Sequence, residues 1–471
     1  MPRRGFLAWA TALLFVVTAC TSSSKASSEG VERSPVVAAA AAADPATDAA
    51  STLAPASSTS TAPAPAPSAS IAEAESSIRL PGPLRAQIDE LAATVESIRE
   101  LEFIEPPTVV AMSPADVVAR RADSLHESFA GVDFAPEEAL YRLFGVFDEP
   151  VDLETFYTDF YSASTLAFYD LDDHELVIPL TAQLLTPYEQ WILVHELSHA
   201  LLDQQFPDVT ARYQLLGELD HFDAAGGLLG LIEGEAILVQ SLFYETLDSE
   251  ERAELQRQAD ARRNETFAAA PAFFRSVSRF PYTDGSLFAL YLYQRGGMEA
   301  VDRAYRDPPT TTEQIYVPQG FVEGIEPVDV NLRVKVPYGF ETTERGTWGA
   351  RGWRTLFGQF LNGATAAAAA EGWGGDDYVL MWNPETRQIA FVSLLVGDSV
   401  HDASEFGGAL EDFVEAAMDV DLRFEELRTT TFTGADYAEV HRIGDRTLFI
   451  AASDQVTGTT VRDGVFGFSP P

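Results

Sequence analysis

The sequence predicts an α+β protein, mainly helical, with a short antiparallel sheet and a small α+β unit at its C-terminal end. Three observations carry that prediction. Apolar residues recur at steps of three and four, as in Ile88, Leu91, Val95, Ile98 and Leu101, the spacing of an amphipathic helix. Ala167-Phe168-Tyr169-Asp170, then Leu171-Asp172-Asp173-His174, then Glu175-Leu176-Val177-Ile178 reads as strand, turn, strand. Further on, Tyr378 to Trp382 and Gln388 to Leu395 read as strands around the turn sequence Asn383-Pro384-Glu385-Thr386. A chain of 471 residues, 46% of them hydrophobic, has material for more than one ordinary core.

The elements follow in chain order. Arg3 and Arg4 precede an apolar stretch, Gly5 to Val17, which is short for a membrane span. Val17-Thr18-Ala19-Cys20 resembles a bacterial lipobox, in which the cysteine is lipidated and becomes the mature N-terminus. Cys20 is the only cysteine of the chain, which suits lipidation better than a disulfide or a thiol active site. Residues 1–20 are therefore expected to be a lipoprotein signal, and the protein to be exported and lipid-anchored on the extracytoplasmic face of a bacterial membrane. Residues 21–78 are dominated by Ala, Ser, Thr and Pro and have too few large apolar groups to fold, so they read as a flexible tether.

Order begins near Pro81. The first helix stops at Pro106-Pro107, and a second starts at Pro114 with Ser113 as its N-cap. A third, short helical stretch leads to Leu143-Phe144-Gly145. After the strand pair, Thr186-Pro187-Tyr188-Glu189 is a capping box with Pro at the first helical position. It opens a helix to about Gln205. An apolar helix from Asp223 to Thr246 follows, then a charged helix from Ser249 to Asn264. Phe288 to Tyr305 reads as a helix interrupted by Gly296-Gly297. These elements assign residues 79–345 to one domain and 346–471 to a C-terminal α+β subdomain, with a helix over Ala403 to Met418 and strands toward the end.

The chemistry lies in His195-Glu196-Leu197-Ser198-His199. On a helix the two histidines stand four residues apart on one face, where both imidazoles can reach a single zinc ion at about 2.0–2.1 Å. Glu196 points roughly 100° away around the helix, off the metal and toward a water bound to it. Zinc lowers the pKa of that water, the carboxylate takes its proton, and the oxygen attacks a polarised carbonyl. Glu196 is thus the expected catalytic base and Zn2+ the expected cofactor. A third ligand is needed. A histidine six residues after His199 would complete one extended motif, but that position is Gln205. The better candidate is Glu233 in Glu233-Gly234-Glu235-Ala236, whose small residues let two helices approach and share a metal. His221, Asp223 and Glu235 are the alternatives.

This combination, HExxH followed downstream by Glu-Gly-x-Ala, resembles the gluzincin metallopeptidases. The resemblance implies a zincin-like core with His195, His199 and Glu233 as metal ligands and Glu196 as base. Phe168-Tyr169-Asp170, the stretch Val194 to Gln205, Phe280-Pro281-Tyr282-Thr283-Asp284-Gly285, Gly296-Gly297, Pro308-Pro309-Thr310-Thr311-Thr312-Glu313-Gln314 and Gly372-Trp373-Gly374-Gly375-Asp376 are also similar to a group of exported bacterial HExxH proteins of poorly defined function. That likeness spans roughly residues 80 to 420. One branch of the gluzincins has an Asp four residues after the third ligand, to orient a zinc histidine; this chain has Ile237 there. Asp203, four after His199, or Asp223 is the candidate for that supporting role. Tyr282 is a candidate donor to the developing oxyanion, or else a packed aromatic at a turn. Arg279 and Arg295 read as surface ion pairs or as anchors for a peptide carboxylate.

The expected partners are a peptide or protein substrate, which the sheet edge near Phe168 to Ile178 would bind by strand addition, and the membrane through Cys20. With 72 acidic against 31 basic residues, a formal charge of -41, the chain is not expected to bind nucleic acid. The competing reading is a non-catalytic zinc-binding or scaffold lipoprotein that keeps the same fold.

Overall fold

Helices dominate where the apolar spacing is threefold or fourfold, and the computed structural model shows them. It describes residues 3–4, 80–163, 165–219, 221–262, 264–426 and 428–467. Cys20, with the expected lipobox, and the expected tether over 21–78 lie outside the described residues. The helices of eight residues or more are α1 (Gly82–Arg99), α2 (Pro114–Ser128), α3 (Ala135–Leu143), α4 (Leu153–Ser162), α5 (Pro187–Gln205), α6 (Pro207–Glu218), α7 (Phe222–Thr246), α8 (Ser249–Ala261), α9 (Ala272–Arg306), α10 (Gly349–Phe360), α11 (Gly363–Glu371), α12 (Val400–Ala417) and α13 (Gln455–Arg462). No helix among the described residues is long and apolar enough to cross a membrane.

The starts of α2 and α5 follow the capping chemistry. The Ser113 hydroxyl accepts from the Asp116 N–H at 3.2 Å. The Thr186 hydroxyl accepts from the Glu189 N–H at 3.4 Å, and the Glu189 carboxylate accepts the Thr186 N–H at 2.8 Å. Each such cap contributes about 1 kcal/mol. Helix α9 departs from expectation. It begins at Ala272 and runs through Pro281 and Gly285, so the Phe-Pro-Tyr-Thr-Asp-Gly segment is helical and not a turn. The expected interruption is present, with Gly296 and Gly297 outside helical φ and ψ.

A small sheet joins β1 (Thr108–Met112), β2 (Phe168–Asp170) and β3 (Glu175–Pro179) in the order β1-β3-β2. The expected antiparallel pair is β2–β3, with Phe168 opposite Val177 and Asp170 opposite Glu175. Strand β1, which the sequence reading passed over, adds a parallel partner to β3. Arg120 of α2 staples the hairpin, donating to Asp170 at 2.9 Å, Asp173 at 2.8 Å and Glu175 at 3.1 Å. Strand β2 is left at the sheet edge, beside α5.

The C-terminal unit holds β4 (Glu341–Gly346), β5 (Trp373–Asn383), β6 (Gln388–Gly397), β7 (Val420–Glu426), β8 (Thr429–Gly434), β9 (Tyr437–Ile443) and β10 (Arg446–Ala452) in one antiparallel sheet, ordered β7-β8-β9-β10-β6-β5-β4. Apolar burial divides into two main cores. One gathers α1, α5, α7, part of α9 and the small sheet. The other is strongly aromatic and packs α10, α11 and α12 on one face of the large sheet together with Tyr141, Tyr157, Phe160, Phe273 and Phe274. The division drawn near residue 346 from the sequence therefore runs through this second core. Residues of α3 and α4 pack with the C-terminal unit, because their aromatic faces have large apolar partners there.

One segment of unusual composition links α7 to α10, and a second lies within the aromatic core. Asp223, at the foot of α7, accepts from the Thr312 N–H at 3.1 Å and from the Thr312 hydroxyl. The Arg351 N–H of α10 donates to that hydroxyl oxygen at 3.0 Å. Asp376, in the Gly-Trp-Gly-Gly-Asp segment, accepts from the Trp348 N–H at 2.7 Å and from the Trp353 and Trp373 indoles at 2.6 and 3.0 Å. Trp373 thus belongs to a buried carboxylate hub.

Candidate metal centre

Helix α5 is buried along nearly its whole HExxH turn, because Trp191, Ile192, Leu193 and Val194 before it and Ala200, Leu201 and Leu202 after it all pack inward. His195 and Glu196 have no exposed surface and His199 retains 3%. Helix α7 lies against α5 and presents Glu233, which is fully buried too. Glu233 Oε2 is 3.1 Å from His195 Nε2 and 3.6 Å from His199 Nε2. One atom from each of the three residues falls within 4.8 Å of the others, a group that could hold a metal ion. Isolated buried carboxylates are costly, and Glu233 Oε1 has no hydrogen-bond partner of its own. A cation at the centre of the cluster would satisfy it.

Burial sets the protonation of the cluster. It pushes His195 down to about 3, against a bond to Gln240 that favours the charged form. It holds His199 well below the ordinary range, with His195 adding to the effect. Both imidazoles are therefore neutral at pH 7 and can offer a lone pair. Glu233 is pushed well above the carboxylate range by burial and then by the nearby Glu196 charge, with the Tyr282 hydroxyl opposing. Positive charge placed between these groups would relieve the repulsion between Glu196 and Glu233.

The tautomer of His195 is set from α7. Gln240 Nε2 donates to the Trp191 carbonyl at 2.8 Å, which turns Gln240 Oε1 toward His195 Nδ1 at 3.1 Å. The ring then carries its proton on Nδ1 and leaves Nε2 free to face Glu233. Gln240 stands seven residues after Glu233, two turns along the same face of α7. Sequence reading missed it, because a neutral amide at that spacing has no motif. The carboxylates expected in this role are engaged elsewhere. Asp203 bonds to Tyr169, His174 and Thr210, and Asp223 bonds to Thr312.

The remaining candidates are placed as follows. Tyr282, on α9, is buried with its ring centroid 6.1 Å from that of His195. Glu235 points away from the cluster into an ion pair with Arg99, with the Tyr305 hydroxyl at 3.4 Å. His221 is exposed at the start of α7. Arg279 lies over the Phe267 ring at 5.4 Å and Arg295 over the Tyr291 ring at 3.6 Å, so both are cation-π contacts. The small residues after Glu233 serve a different neighbour from the one expected. A Cβ at Gly234 would lie 2.0 Å from the Gly285 carbonyl oxygen, and one at Gly285 would lie 2.2 Å from that of Gly230. The close approach is between α7 and α9, and it brings Tyr282 up to the cluster.

Strand β2 completes the surroundings. The Tyr169 N–H points off the sheet edge and donates to Glu196 Oε2 at 2.9 Å.

Comparisons with known proteins add little at this site. Residues 336–462 match a family model described as a domain of unknown function (DUF8575), which falls on the C-terminal unit and not on the metal cluster. No curated protein matches the chain. Among solved structures, a presumed hydrolase with a novel fold from Chloroflexus aurantiacus is similar at 18% identity and a TM-score of 0.35, over 52% of this chain and 91% of that one. A likeness at that score carries neither fold nor activity across.

Proposed function

We propose that this protein is a zinc-dependent peptidase of gluzincin type, exported and lipid-anchored through Cys20. The observation that carries the reading is the convergence of His195, His199 and Glu233 on one point, with Glu196 on the same helix as the two histidines. Two imidazole nitrogens and one carboxylate oxygen form a donor set that suits zinc and leaves a fourth position open. Bond lengths of about 2.0–2.1 Å in a tetrahedron require ligand atoms about 3.3 Å apart. The separations of 3.1 and 3.6 Å from Glu233 to the two histidines bracket that value.

Zinc held there would supply Lewis acidity toward a carbonyl and toward a water molecule. The rest falls to the chain. Glu196 takes a proton from water and passes it to the departing amine. Gln240 holds His195 in its ligating tautomer. Tyr282, a buried phenol beside Glu233, would donate to the carbonyl oxygen as charge builds on it. Strand β2, at the sheet edge beside Glu196, supports an extended peptide that would add as a strand by pairing with the Tyr169 carbonyl. An apolar cavity of about 280 Å3 opens between Val118, Leu166, Ala167, Ile178 and Ile192. Ile192 is one turn before Glu196, and the cavity is a candidate pocket for an apolar side chain of the substrate away from the metal cluster itself. The acidity of the chain speaks for a peptide partner over a nucleic acid.

Metal analysis of the purified protein, paired with peptide cleavage in the presence and absence of chelator, tests this. About one zinc per chain, chelator-sensitive cleavage and a loss of roughly 1,000-fold or more in Glu196→Gln are expected, since the base acts in the transition state. Bound zinc with no cleavage, unaltered by Glu196→Gln, would leave a non-catalytic zinc lipoprotein instead.

A further inference from the structure

One residue ties the edge strand to the active-site helix at two points. The Tyr169 N–H donates to Glu196 Oε2 at 2.9 Å, and the Tyr169 hydroxyl donates to Asp203 Oδ2 at 2.8 Å. Glu196 and Asp203 are seven residues apart on α5, two turns along one side. Asp203 is nearly buried and gathers more than the phenol. His174 Nδ1, from the β2–β3 turn, lies 2.7 Å from its Oδ2, and the Thr210 hydroxyl of α6 donates to its Oδ1 at 3.2 Å. His174 sits there with a φ of 54°, a left-handed conformation uncommon outside glycine, though histidine is among the side chains that tolerate it. Burial, and then the Asp203 charge, push the Tyr169 hydroxyl above its usual range, so it stays protonated as a donor.

The consequence for Glu196 is direct. In an antiparallel strand the N–H and C=O of one residue point to the same edge. The Tyr169 carbonyl therefore faces the same side of β2 as the N–H that holds Glu196. Any shift of β2 along α5 would move the carboxylate's anchor and the peptide-pairing groups together.

We propose that Tyr169 and Asp203 are positioning residues: Tyr169 orients the Glu196 carboxylate through its backbone N–H, and Asp203, through the Tyr169 hydroxyl, fixes the height of the strand edge along which substrate lies. This rests on the peptidase reading above. It assigns Asp203 to the base and the substrate edge, and not to a metal histidine.

Tyr169→Phe removes the hydroxyl alone, and Asp203→Asn removes the charge that receives it. Both variants should keep wild-type zinc content. Their kcat should fall roughly tenfold on all peptides, the scale of losing one charge-assisted hydrogen bond. KM should rise only for peptides long enough to lie along β2, and stay level for dipeptide-derived substrates. The double variant should be no worse than the weaker single one, because both changes break the same bond. Thr210→Val, which trims a different contact of Asp203, should leave both constants near wild type. Amide hydrogen exchange should quicken over residues 167–170 more than over 176–178. Zinc loss in the variants, equal KM changes on short and long peptides, or unaltered kinetics and exchange beside a chelator-sensitive wild type would overturn the positioning role. A wild type whose cleavage ignores chelator would sink the peptidase reading itself.

Discussion

Gln240 is the residue that orients the candidate metal cluster without belonging to it. Its amide is locked by the Trp191 carbonyl, and that lock decides which nitrogen of His195 faces Glu233. Gln240→Ala should weaken zinc binding roughly 10–100-fold while leaving the helices in place. Competition against a chelator of known affinity measures this directly; an unchanged affinity would show that the tautomer needs no support from α7. The same residue marks the limit of sequence reading at this scale. His195, Glu196 and His199 were legible because a four-residue interval on a helix forces two side chains onto one face. Glu233 was legible because it sits in a recognisable segment of a second apolar helix. Gln240 was not, since nothing local distinguishes it from any other buried amide. Asp203 was seen but given the wrong partner: its spacing from His199 suggested a histidine, whereas the hairpin on its own side of α5 supplies Tyr169 and His174.

At the scale of elements, the contact of α7 with α9 governs the geometry of the site. Gly234 and Gly285 let the two backbones touch, with no space for a methyl group at Gly234. Gly234→Ala should force the helices apart and destabilise the fold by about 1–3 kcal/mol, the usual penalty of overpacking. It should also separate Glu233 from Tyr282, so zinc affinity should drop along with the denaturation midpoint. A variant that loses neither would show that the helices can re-seat. Long periodic helices and the β2–β3 hairpin were readable in the sequence because their determinants are local. Strand β1 was not: it follows Pro106-Pro107, spans five residues, and pairs in parallel with a partner more than sixty positions away. The helical course of α9 through Pro281 was hidden for a related reason. Its Pro and Asp-Gly favour a turn in isolation, and only packing against α7 decides for helix.

For the whole molecule, the decisive feature is the aromatic second core that α3 and α4 share with the large sheet. Nothing in the sequence around residues 135–162 announced that destination, because aromatic helix faces fit any apolar partner. Glu137 is buried within this core, its carboxylate accepting from the Tyr157 hydroxyl at 2.6 Å. Burial raises its pKa from 4.5 to about 8, with bonds from Tyr157 and Tyr141 opposing. The folded state therefore keeps a proton that the unfolded chain releases above its own value. Its contribution to stability is fullest below pH 4.5, declines as pH rises, and has been lost once pH passes about 8. Glu137→Gln should flatten that decline. Melting temperatures of the two proteins should lie closer together at pH 5 than at pH 9, with the variant higher at pH 9; parallel curves would place the pH sensitivity elsewhere.

Helix α7 carries Glu233 and Gln240 near its middle, yet its foot is fixed outside the core that surrounds them. Asp223 is clasped by Thr312, Thr312 by Arg351, and Gly349 comes so near Asp223 that a Cβ there would lie 1.9 Å from Oδ1. The helix is in effect a rod socketed in the seven-stranded unit, and two of the groups that shape the metal cluster ride on it. The alignment of that cluster is therefore set partly by a neighbour that contributes no ligand to it. The C-terminal unit is in this sense the bracket that keeps the cluster true.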